Sequence, residues 1–161
     1  MIEERYELAL DRIRLMQTED TVGEPYKDYF KKMAEFVLML EELRTELLDG
    51  RYQKLELDEL RKWNRRLYQD VLPGQYEKSY ANPDYACKML GKESGQILGM
   101  LYAELRGAVV YVFEGKTEYL AILYELLIEV YNQFEEEPDP KAVRDTFYWY
   151  ASDYCDVFLA D

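Results

Sequence analysis

A single all-α bundle of about six helices is the fold this sequence predicts. Three observations carry that expectation. Apolar residues recur at three- and four-residue spacing along most of the chain, which is the signature of one-sided helices. Prolines stand at the starts of those runs, where a missing N–H does no harm. No segment shows a convincing strand alternation, and 161 residues is the size of one ordinary domain.

The first helix places Ile2, Tyr6, Ala9, Ile13 and Met16 on one side. From Tyr26 a longer one carries Tyr29, Phe30, Met33, Phe36, Val37, Leu40, Leu43 and Leu47 on its apolar face. Lys31, Lys32, Glu35, Glu41, Glu42 and Glu46 lie between them and are expected to face water. A third runs over about 57–71 with Leu60, Trp63 and Leu67 inward. A fourth opens at Pro83 behind Asn82 as N-cap and continues through the β-prone segment 108–113. The fifth, 117–136, is apolar on most sides, with Glu118, Glu125, Glu129 and Asn132 confined to one stripe, and Thr117 is its expected cap. Such a helix belongs at the centre, with neighbours on several sides. The sixth starts at Asp139-Pro140 and is rich in Phe147, Tyr148, Trp149, Tyr150, Tyr154 and Phe158. Gly50, Pro73-Gly74, Gly115 and Pro138-Asp139-Pro140 supply the stops.

Charge and composition exclude several roles. The formal net charge is −13, which repels nucleic acid phosphates and anionic lipid, so neither nucleic acid nor membrane is an expected partner. The excess is uneven: residues 1–80 carry 14 basic and 18 acidic side chains, residues 81–161 only 6 basic and 15 acidic. The apolar run 119–131 contains Glu125 and Glu129 and is too short to span a bilayer. Met-Ile-Glu-Glu-Arg at the start is no signal peptide, and the cytoplasm is the expected compartment. Cys87 and Cys155 form neither a disulfide framework nor a zinc knuckle and are expected as buried packing thiols.

The chain contains no histidine. That removes His-based acid–base catalysis, Ser-His and Cys-His pairs, the Glu-x-x-His di-iron motif and ordinary catalytic zinc sites. An all-carboxylate magnesium site using Glu125 and Glu129 is formally open, but a solvated stripe is the simpler reading of the two. No catalytic, cofactor-binding or metal-binding residue is therefore assigned. Arg61, Lys62, Arg65 and Arg66 form the basic cluster, with Asp58 and Glu59 at partner spacing on the same helix.

Two patterns remain as contact candidates. Gly91, Gly95, Gly99, Ala103 and Gly107 put a small residue at every fourth position. Each interior glycine costs roughly 1 kcal/mol of helix propensity against alanine, so the groove they form should serve close helix packing, within the chain or between two copies of it. Tyrosine supplies 16 of the 161 residues, and its apolar body with a polar tip suits interfaces as well as wet core edges. Tyr76, Tyr80 and Tyr85 bracket the irregular stretch 73–83, where a binding surface would first be sought.

Glu4-Arg5-Tyr6-Glu7-Leu8-Ala9, Thr21-Val22-Gly23-Glu24-Pro25, Lys78-Ser79-Tyr80-Ala81-Asn82-Pro83 and Phe147-Tyr148-Trp149-Tyr150 together resemble a known region. It is the helical N-terminal region of bacterial metallo-aminopeptidases of the aminopeptidase T type, and the resemblance spans nearly the whole chain. It implies a non-catalytic accessory domain that mediates assembly or controls access to a downstream catalytic part. The family's two-metal centre uses histidines among its ligands, and none can be placed here. A divalent metal is then expected only in that downstream part, and the partner is the chain's own catalytic domain or a second copy. The uncapped ending Phe158-Leu159-Ala160-Asp161 reads as a chain cut short or a helix that docks on something. A stand-alone helical adaptor that binds another protein is the alternative.

Overall fold

A computed structural model describes residues 2–48, 57–68, 78–79 and 82–160. Those residues form eight helical segments: α1 Ile2–Met16, α2 Tyr26–Leu48, α3 Leu57–Leu67, α4 Pro83–Leu90, α5 Lys92–Gly107, α6 Val109–Phe113, α7 Thr117–Phe134 and α8 Pro140–Ala160. Among the described residues there is no strand. The all-α expectation holds.

The count differs from six because the expected fourth helix breaks twice. Gly91 adopts φ +88, a left-handed conformation that ends α4 and turns the chain into α5. Glycine alone reaches that region freely. At Ala108 the N–H bonds back to Leu105 over three residues rather than four. That tighter step separates α5 from α6, which otherwise continue as one rod. The apolar pattern runs unbroken through Ala108, so periodicity alone could not mark that point, whereas between Leu90 and Ile97 no large apolar residue stands.

Two of the predicted starts are built as expected. Asn82 accepts from the N–H of Asp84 at 3.0 Å ahead of Pro83, and Asp139 accepts from the N–H of Lys141 at 3.1 Å ahead of Pro140. Thr117 does not cap α7. It is the first helical residue, and its hydroxyl accepts from Arg44 at 3.1 Å instead.

α7 lies at the centre, packed by α1, α8, α6, α2 and α5. Leu120, Ala121, Leu123, Tyr124, Leu127 and Val130 are fully buried, while Glu118, Glu129 and Asn132 are exposed on the predicted stripe. α2 contributes Tyr29, Phe30, Met33, Phe36, Val37, Leu40 and Leu43 to the same core. Trp63 and Leu67 of α3 are buried against it, and the Trp63 indole N–H donates to Glu46 at 3.1 Å. α5 and α6 together, Lys92–Phe113, are long and apolar enough to cross a membrane by length and composition. Their residues Ile97, Leu98, Leu101, Tyr102, Leu105 and Val112 are buried inside the bundle.

Glu41 departs from its expected place in water. Its side chain is 12% exposed and sits where α1, α2 and α7 meet. It accepts from the hydroxyl of Tyr6, and from that of Tyr124 at 3.1 Å, with Arg44 3.7 Å away on its own helix. The Arg44 guanidinium also lies 4.5 Å over the Tyr6 ring. Buried carboxylates persist only when so surrounded.

Candidate functional site

The sequence-derived contact residues are not gathered on one surface. Tyr76 and Tyr80 lie outside the described residues. Tyr85 is half-buried on α4. Gly91 is exposed at the α4–α5 junction and so stands outside the helix that carries the other glycines. Gly95 is buried against α4 so closely that an added Cβ would fall 2.5 Å from Cys87 Cα and 2.7 Å from the Ala86 carbonyl oxygen. Gly99 meets only the Ala86 methyl, at 3.8 Å, and Gly107 is open. The groove thus serves intramolecular packing at Gly95 and opens toward solvent farther along. Cys87, expected as buried, is half-exposed, with its thiol directed to the Lys92 carbonyl at 3.7 Å.

Charge pairs occupy the groups singled out for other roles. Glu125 is paired to Arg5 at 2.5 Å, and among the described residues no three His, Cys, Asp or Glu side chains are grouped to hold a metal. On α3, Arg66 pairs with Glu42 at 2.6 Å and stacks 4.5 Å over Trp63, while Arg61 faces Asp58 at 3.9 Å. Arg65, Arg61, Asp58 and Asn64 line a shallow open depression there.

The surface with the strongest binding character belongs to α8. Asp139 caps it, and Val143, Phe147 and Tyr150 turn inward at four- and three-residue spacing to seat it on α7. The opposite face carries Tyr148 at 73% and Trp149 at 76% exposure. A cleft runs along each flank. One, of about 250 Å³, lies between α1, α7 and α8 and is lined by Leu8, Ala9, Ile128 and Tyr150, with Arg5, Arg12, Glu125 and Glu129 around them. The other, of about 240 Å³, lies between α5, α7 and α8 and is lined by Leu123, Leu126, Phe147, Ala151 and Glu104. Leu8, 63% exposed, extends the apolar surface on the α1 side. Two large amphipathic rings on a ridge between apolar clefts are the composition of a protein contact centre. Burying each ring is worth on the order of 2–3 kcal/mol, so solvent is a poor final environment for the pair. The aromatic richness of this helix was legible in the sequence; which of its rings face outward was not, because four aromatics stand side by side at 147–150 and so point to every side of the helix.

No family model matches the sequence, and no curated protein or solved structure matches it.

Proposed function

We propose that the chain is a non-catalytic helical accessory domain that works by seating the α8 face on another folded protein domain. The observation that carries this reading is the outward pair Tyr148 and Trp149, 73% and 76% exposed on a helix otherwise docked against α7. The resemblance of four sequence segments to the N-terminal region of aminopeptidase T-type enzymes names the partner: the catalytic part of an aminopeptidase-like metallopeptidase, with its own divalent metals. The domain then serves assembly or access to that catalytic part. A stand-alone adaptor would use the same face on a separate protein.

The test starts in the gene. Reading past the codon for Asp161 and expressing the whole product allows Trp149 to be compared, by acrylamide quenching, with the isolated 161 residues. An adjoining histidine- and glutamate-bearing domain that shields Trp149 supports the accessory reading. An adjoining domain that leaves Trp149 as quenchable as before overturns it. A stop codon next to Asp161 also overturns it and leaves the adaptor. The isolated chain should show no peptidase turnover with any divalent metal added, and turnover would overturn both.

A further inference from the structure

A second site lies away from α8, where the end of α3 meets the end of α5. Tyr68, Tyr102, Ala103, Arg106 and Gly107 line a cleft of about 320 Å³ there. The Arg106 guanidinium lies 4.7 Å over the Tyr68 ring and 5.9 Å from the centre of Tyr102. Its Nε is buried with no hydrogen-bond partner among the described residues. Among the described residues no carboxylate pairs with it, in a chain where Asp and Glu outnumber Lys and Arg by 33 to 20. The other partly buried arginines are treated differently: Arg12 has Glu19 at 2.9 Å, and Arg44 has Glu41 at 3.7 Å. A guanidinium taken partly out of water ordinarily acquires an oxyanion, because its five donors match one bidentately. Aromatic faces answer its charge but accept none of its hydrogen bonds in the plane.

Among the described residues the surroundings leave the cleft open. Tyr102 is 2% exposed and packs on Tyr29 and Phe36, with ring centres 6.5 and 6.2 Å apart, and Phe36 also backs Tyr68 at 6.4 Å. The Tyr68 hydroxyl donates to the Arg106 carbonyl at 3.4 Å, which ties the end of α3 to α5. The floor consists of small residues: a Cβ at Gly107 would meet nothing within 4 Å. Here the four-residue glycine spacing, which serves helix packing at Gly95, leaves a space that no side chain among the described residues fills.

We propose that this cleft binds a small oxyanion, a carboxylate or a phosphate, on Arg106 between the Tyr68 and Tyr102 rings. The experiment titrates the intact chain with inorganic phosphate and, separately, with benzoate, at fixed ionic strength, while NMR follows the amides of Ala103, Arg106 and Gly107. The expected result is a saturable shift confined to those residues with at least one probe. Saturation by benzoate alone assigns a carboxylate, by phosphate alone a phosphate, and by both the shared oxyanion chemistry. Arg106→Lys should weaken binding by about tenfold by losing the planar fork, and Arg106→Gln should abolish it. Gly107→Leu fills the space while keeping the charge and should abolish binding too; it decides the matter if Arg106→Gln fails to fold. No saturation with either probe, or the same saturation in Gly107→Leu, overturns the proposal.

Discussion

The hydroxyl of Tyr124 donates to the Glu41 carboxylate at 3.1 Å, joining the central helix α7 to α2 inside the bundle. Tyr6 of α1 donates to the same carboxylate, so one buried side chain fastens three helices. Tyr124→Phe removes one donor and leaves Glu41 with Tyr6 and Arg44, and should lower stability to urea by about 1–2 kcal/mol. Glu41→Ala removes the acceptor of both phenols and leaves Arg44 with Thr117 alone, and should lower it by about 2–3 kcal/mol. In the double variant the two losses should add to less than their sum, since both remove the same bond. Strict additivity would show that the bond contributes nothing.

Burial holds the Glu41 carboxyl above its ordinary 4.5, with Glu7 acting in the same direction and Tyr6, Arg44 and Tyr124 opposing. Between the unfolded and the folded value the native chain therefore binds the extra proton. This contribution to stability is fully present below 4.5 and declines as pH rises through the raised value. Urea unfolding across that window should show the wild type losing stability relative to Glu41→Gln as pH increases. A difference between the two chains that stays flat with pH would refute the assignment.

Gly95 and Gly107 should respond to alanine in opposite ways. A Cβ on Gly95 meets the backbone of Cys87 and Ala86 at 2.5–2.7 Å, so α4 must move away, at a cost of about 1–3 kcal/mol. At Gly107 the same Cβ enters open space at the end of α5, and the gain in helix propensity should stabilise by up to about 1 kcal/mol. Paired thermal melts test both signs at once, and equal losses would contradict the described packing.

The two tryptophans should separate in fluorescence. Trp63 is 3% exposed and bonded to Glu46, whereas Trp149 is 76% exposed. Acrylamide should quench a large red-emitting fraction in the isolated chain, and Trp149→Phe should remove that fraction while leaving a blue, poorly quenched one. If the loss of Trp149 instead leaves the quenchable fraction unchanged, α8 does not present that face.

Much of the fold was legible because it follows from local chemistry. The buried faces of α1, α2 and α7, and the Asn82 and Asp139 caps, each depend on residues within a turn of one another. Glu41 was misplaced because what makes its burial tolerable comes from Tyr6 and Tyr124, 35 and 83 residues away. Thr117 has the residue type of a cap, yet Arg44, 73 residues distant, takes its hydroxyl. The outward pair on α8 was legible as composition and not as direction. Arg106 drew no notice in the sequence, since the lack of a carboxylate partner among the described residues is visible only once the helices are packed.

The pairing of α1 with α7 sets an order on how the chain is made. Arg5 meets Glu125 across 120 residues, so α1 waits for α7 to be made before the two can pair. At elongation rates of about 5–20 residues per second that wait is on the order of 6–24 s, far longer than a helix needs to form. Over that interval α2 is, among the described helices, the native neighbour at hand to cover Tyr6, Leu10 and Ile13, and the flank of α1 that α7 will bury stays open to chaperones and to neighbouring nascent chains.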